Sequence, residues 1–176
     1  MKRKLIIVTV FSIILPVLLL AEVRIGYIDS NRIMGEYSET KAVQAELEKE
    51  QRKMEADYNK LIAQLDSLGQ DYEKQRLLMS EQRRTEKENE IEQKREQIQQ
   101  FQLEKFGPQG EIYQKESQLL TPVLKKIDEA IKVVGAEEGY DYIFDANSGA
   151  IVYALNAHDL TEDVLKELQE ATLEEE

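Results

Sequence analysis

This chain of 176 residues is one-third charged, carries 35 acidic against 23 basic residues for a formal charge of -12, and contains neither Cys nor Trp. That excludes a disulfide or thiolate framework, and it argues against a general nucleic-acid binder, whose phosphate contacts need clustered cations. A compact globule of this length is usually less polar, so much of the chain must be thin and solvated, and its helical periodicity selects helix over disorder.

Residues 1–21 begin with Lys2-Arg3-Lys4, run apolar from Leu5 to Leu20 with Pro16 inside, and end on Ala21. Charged, apolar, small is the order of a secretory signal peptide. The apolar run falls short of the ~20 residues of a comfortable membrane span. Cleavage after Ala21 and export are therefore expected, with an uncleaved anchor as the alternative.

Val23 to Asp29 is β-branched and aromatic and predicts a short strand. Ser30 or Asn31 can cap a small helix reaching about Tyr37. Ser38 and Thr40 flank the start of a long helix, with Glu39 in its first turn, where the macrodipole favours an acid. Along that helix Met54, Tyr58, Leu61, Leu65, Leu68 and Tyr72 step by four and three, one heptad above Leu47. This is a coiled-coil seam, and it needs a partner.

The partner is written in reverse further along. Leu47 with Ile112, Met54 with Phe106, Tyr58 with Phe101, Leu61 with Ile98 and Leu68 with Ile91 all have residue numbers adding to about 159. A constant sum is the signature of an antiparallel hairpin, and half of it places the tip between Met79 and Ser80. Ser80 is a ready N-cap for the return helix. Opposite Leu65 and Tyr72 the return arm offers only the stems of Lys94 and Lys87. The outer layers are therefore half-apolar, and the arm is expected to grow more mobile toward its end.

Gly107-Pro108-Gln109-Gly110 interrupts the return helix beside Gln51, a polar gap in the forward seam. Gly107, Pro108 and Gly110 are the candidate hinge, a role-free kink being the alternative. Beyond it Ile112, Leu119, Leu120, Val123, Leu124, Ile127, Ile131 and Val134 form a wider stripe that suits a core. Two strands, Tyr140 to Ala146 and Ala150 to Leu155, are expected around an Asn147-Ser148-Gly149 turn. Thr161 is expected to cap a last helix. The division predicted is a leader (1–21), a β/α body (22–38 with 121–176) and a hairpin arm (39–120) with its tip near 79–80 and a kink at 107–110. The fold class is mostly α within α+β, and so small a three-strand body calls for assembly with other copies.

No residue set resembles an active site. His158 stands without triad partners and reads as a surface loop residue. Asp29, Asp141, Asp145 and Asp159 sit at strand ends and turns, where capping explains them better than a metal. The glycines form no phosphate loop. Tyr27, Tyr140, Tyr142 and Tyr153 read as half-buried sheet residues. No catalytic, cofactor-binding or metal-binding residue is assigned, no cofactor is expected, and the chain is not read as an enzyme.

Charge is unevenly placed. The arm holds 14 basic and 18 acidic residues, whereas residues 121–176 hold 4 and 14. Near the tip Lys74, Arg76, Arg83, Arg84 and Lys87 outnumber Glu81 and Glu86. These five cations are the candidate tip contacts to a membrane surface or a client segment, the alternative being an ordinary solvated helix end.

From the opening Val23-Arg24-Ile25-Gly26-Tyr27-Ile28-Asp29 strand onward, the chain resembles the Skp/OmpH family of periplasmic chaperones. The likeness continues through Phe106-Gly107-Pro108-Gln109-Gly110, Gly139 to Asp145 and Asp159 to Leu165. It implies a homotrimer with strands joined in a central body and helical arms around a cavity. It also implies an ATP-independent holdase in the periplasm that keeps unfolded outer-membrane proteins soluble. This chain departs from the best-known member in being acidic rather than basic. Other readings are a structural coiled-coil spacer or adaptor of the envelope, and a prefoldin-like chaperone, which would lack the leader.

Overall fold

A computed structural model describes residues 22–175, so the expected leader at 1–21 and the terminal Glu176 lie outside the described residues. The elements run β1 (Ile25–Ile28), α1 (Ser30–Glu36), α2 (Ser38–Gln75), α3 (Glu81–Phe106), α4 (Glu111–Glu137), β2 (Tyr142–Asp145) and α5 (Thr161–Glu175). Short 3-10 turns occupy Arg76–Leu78, Ala146–Ser148 and Asn156–His158. No described helix is long and apolar enough to cross a membrane.

The 38 residues of α2 span ~57 Å at 1.5 Å per residue. α3 returns alongside, and α2 with α3 forms a long antiparallel hairpin. The reversal begins with the 3-10 turn at Arg76–Leu78. Met79 is then extended, and the Ser80 hydroxyl accepts a bond from the Arg83 amide at 3.3 Å to start α3.

The body is built on the apolar stripe of α4. Val123, Ile127, Ala130 and Val134 recur at steps of four and three and pack with Ile28, Ile33, Tyr37, Leu160, Val164, Leu165 and Leu168. β1 and β2 lie beside this cluster as a two-stranded parallel sheet, with Ile25 opposite Tyr142 and Ile28 opposite Asp145. Parallel neighbours need a crossover connection. Here that connection is α1 through α4, so the whole arm is inserted between two adjacent strands.

The expected third strand is absent from the described residues. Ala150 to Leu155 has no ladder partner, and Asn147 lies in a 3-10 turn rather than a hairpin loop. β-branched and aromatic residues become a strand only where a neighbour supplies ladder bonds, and within one chain the outer edge of β1 is met instead by Asp159 and Leu160. Tyr27 bridges Asp159 there, and the Leu160 amide donates to the Tyr27 carbonyl at 2.9 Å.

Capping also differs from expectation. Asp29, not Ser30 or Asn31, caps α1 by accepting from the Arg32 amide at 3.0 Å. At α5 the Asp159 carboxylate accepts the Thr161 amide at 3.0 Å, while the Thr161 hydroxyl takes a bond from the Asp29 amide at 2.9 Å. Thr161 is therefore a tie between the two ends of the body. A carboxylate just ahead of a helix competes well for its free amides, and here both come from Asp.

Candidate functional site

Two surfaces carry the exposed chemistry: the arm and the outer face of the small sheet. In the arm the seam residues face inward, but thinly. Met54 and Ile98 are buried, at 5% and 8% exposure. Leu47, Tyr58, Leu61, Leu65, Leu68, Tyr72, Ile91, Phe101, Phe106 and Ile112 are half-buried. Two helices alone cannot close over a seam, so each layer keeps one side wet. Cross-arm contacts follow the antiparallel pairing. Tyr58 and Phe101 bring their rings to 6.4 Å, the Lys94 ammonium donates to the Gln64 amide oxygen at 3.2 Å, and the Tyr72 hydroxyl donates to Glu88. Acceptance by Glu88 together with partial desolvation raises the Tyr72 pKa.

At the tip, Leu77 and Leu78 stand 89% and 91% exposed. A polar turn would have served the reversal without that exposure. The five candidate cations cluster here, but four have carboxylate partners three residues away along the chain. Arg76 pairs with Glu73 at 3.3 Å, Arg83 with Glu86 at 3.2 Å, Arg84 with Glu81 at 2.9 Å and Lys87 with Glu90 at 2.6 Å. Counted from Glu73 to Glu90, five cations meet five carboxylates, so the basic excess is confined to the outermost turns. The tip's distinctive chemistry is its leucine pair rather than its charge.

At the break, Gly107 ends α3, with its amide on the Leu103 carbonyl at 3.0 Å, and Gly110 begins α4. Pro108 is exposed between them, and Gly110 is buried. The Lys105 ammonium pairs with Glu111 across the break.

On the body, Ile25, Tyr27, Tyr142 and Phe144 share the outer face of the sheet. The Tyr142 and Phe144 rings stack at 6.5 Å. Sequence reasoning had both Tyr142 and Tyr153 half-buried; both are exposed. Next to this face runs the unpaired Ala150 to Leu155 segment, where Val152 and Tyr153 are 98% and 82% exposed. Between the segment and β1 lies an open cleft of about 950 Å³, lined by Val23, Ile25, Tyr27, Phe144, Val152 and His158 among others. This surface went unrecognised in the sequence, although a signal was there. Both strands are apolar on alternate and intervening positions alike, a pattern that asks for cover on both faces.

The polar groups of the body are spent on structure. Asp29 is held below the usual carboxylate range chiefly by the Asn147 amide, which donates to it at 2.7 Å, and by the Arg32 amide. Partial burial pushes Asp145 up, but hydrogen bonds from Ser30 and Asn147 outweigh it and the net shift is downward. Asp141 accepts the Arg24 amide at 2.9 Å. His158 is half-buried rather than free in a loop, its ring edge-on to Tyr140 at 6.2 Å. Among the described residues no group of three His, Cys, Asp or Glu could hold a metal.

Comparison with known proteins places these features in a family. A model for OmpH-like outer membrane proteins matches residues 24–168. The chaperone protein Skp of Photorhabdus luminescens is 27% identical over 151 residues, covering 83% of this chain and 86% of that protein. Skp of Pectobacterium atrosepticum is 34% identical over 73 residues, covering 39% of this chain and 43% of its own. A solved OmpH-like structure from Caulobacter crescentus superposes with a TM-score of 0.74 at 19% identity, over 85% of this chain and 86% of that one, so the two share a fold.

Proposed function

The chain belongs to the OmpH-like family, and from that premise we propose that it is an ATP-independent holdase of the periplasm that keeps unfolded outer-membrane proteins soluble. The observation that carries this reading is the arm. A hairpin of such length buries only two apolar side chains of its own, Met54 and Ile98, and ends in two leucines that are almost wholly exposed, which suits a limb that leans on another molecule. The curated relatives are named chaperones. Asp29, Asp145, Asp159 and Thr161 cap and tie the body. Export to the periplasm rests on the leader expected from the sequence of residues 1–21.

We further propose that three copies assemble through the body. The uncovered face of β1 and β2, the open cleft beside it and the unpaired Ala150 to Leu155 run all support such an interface, because that run is a strand sequence lacking only a neighbour. The arms of the trimer then enclose the client, with Leu77, Leu78 and the surrounding Lys74, Arg76, Arg83, Arg84 and Lys87 touching client or membrane surface at the ends. Flexing at Gly107, Pro108 and Gly110 adapts the enclosure to client size.

The test dilutes a urea-unfolded outer-membrane β-barrel protein into buffer with the mature protein and no nucleotide. Light scattering should be suppressed at about one assembly per client. Unchanged scattering, with tight binding to one folded envelope partner instead, would leave the spacer reading standing.

A further inference from the structure

The joint between α3 and α4 is braced rather than loose. The Gly110 amide donates to the Gly107 carbonyl at 2.8 Å, and the Gln114 amide to the Gly110 carbonyl at 3.2 Å. On one side, the rings of Tyr58, Phe101 and Phe106 form a chain with successive separations of 6.4 and 6.5 Å, next to the buried Met54. On the other side, the Lys105 ammonium meets the Glu111 carboxylate. The ion pairs from Glu46 to Arg95 join residues three or four apart along the chain, whereas this one spans six residues and links two α-helices. Lys105 lies in the last turn of α3 and Glu111 in the first turn of α4. Each charge suits its own helix end, so the pair joins the negative end of one dipole to the positive end of the next.

We propose that Lys105 and Glu111 form an electrostatic clasp that sets the angle between the distal hairpin and α4 and loosens as salt rises. The screening length falls from ~30 Å at 0.01 M salt to ~3 Å at 1 M, which is enough to uncouple an exposed pair. The Phe101 ring lies 6.0 Å from the Lys105 ammonium and offers it a second seat when the carboxylate is screened. The glycine turn and the aromatic chain do not depend on the pair, and α2 runs unbroken past the joint, so the unclasped arm pivots by a bend of α2 near Gln51 without unfolding. This device goes beyond the holdase reading and does not require it.

The chain has no cysteine, so spin labels attach only where cysteines are introduced. Gln75→Cys and Gln118→Cys label the far end of α2 and the near part of α4, and mixing with excess unlabelled chain isolates distances within one chain. The expected distribution is narrow at 0.01 M salt and gains up to about five-fold in its off-peak population at 1 M, the effect of one exposed ion pair. Lys105→Gln, Glu111→Gln and the double variant should each be broad at both salts and equally so, because each severs the same contact. Far-UV circular dichroism should show unchanged helix in all three. The clasp is refuted if the parent distribution ignores salt, or if the single variants match the parent at 0.01 M, or if their effects add.

Discussion

A methyl group added at Gly107 would overlap the carbonyl oxygen of Leu103, and one added at Gly110 would sit 2.8 Å from the Lys105 carbonyl. Neither glycine has a left-handed backbone, so the requirement is for space rather than for conformation. Gly107→Ala should therefore cost about 1–3 kcal/mol, as overpacking against backbone does. Amide exchange near Leu103 should speed up accordingly; unchanged protection there would contradict the account. Charge argues at the same scale for Asp29 and Asp145. Both titrate below their ordinary value of 3.8 in the folded chain, so they bind fewer protons folded than unfolded. Their stabilisation is in place above that pH and is lost as pH falls through the lowered values. Replacing both with Asn should flatten the decline of the urea midpoint below pH ~4 relative to the parent. An equally steep decline in the double variant would show that other carboxylates govern it.

Along the arm, protection should track burial. Met54, in register with Phe106, and Ile98, in register with Leu61, anchor the part of the arm nearer the joint, while Leu65, Leu68 and Ile91 further out are covered on one side only. Hydrogen exchange should therefore quicken from this anchor toward Leu77 and Leu78, the reverse of a stiff rod with a loose root. Ile98→Ala should lower the local opening free energy by about 2 kcal/mol, the low end for a buried aliphatic truncation because the site is thin. Residues around Leu61 should lose protection while α5 stays unaffected. Loss of protection throughout α5 would mean that arm and body unfold as one unit.

For the molecule as a whole, the insertion of the arm between two adjacent parallel strands ties both roots of the hairpin to one small sheet. That sheet leaves its outer face to water, with Tyr142, Phe144, Val152 and Tyr153 uncovered. An apolar surface of this kind on so small a body is best relieved by other copies. Tyr142→Asp combined with Phe144→Asp should reduce the mass seen by sedimentation from that of the proposed three-chain assembly to that of one chain, with helix content retained. An unchanged mass would move the interface elsewhere.

The heptad steps and the constant pairing sum were sufficient to derive a helical hairpin reversing near Met79, because helix periodicity and antiparallel register are local, additive signals. The apolar stripe through Val123, Ile127 and Val134 likewise announced a core helix. The strand partnership was not legible. Whether Ala150 to Leu155 becomes a strand depends on which edge is free, and only the folded chain shows Asp159 and Leu160 already at the edge of β1. Capping by Asp29 and Asp159 was hidden for a related reason: adjacent Asp, Ser, Asn and Thr residues can all cap, and the packing of the two chain ends selects among them. The sign of the tip charge was readable, and so was its neutralisation, because Glu73 and Glu90 stand three residues from Arg76 and Lys87, just outside the stretch whose charge was counted. Periodic patterns thus settled which segments are helices and how they pair. Edges, caps and exposed faces were decided by contacts between residues more than a hundred positions apart, such as Ser30 with Asp145, and no local pattern encodes those.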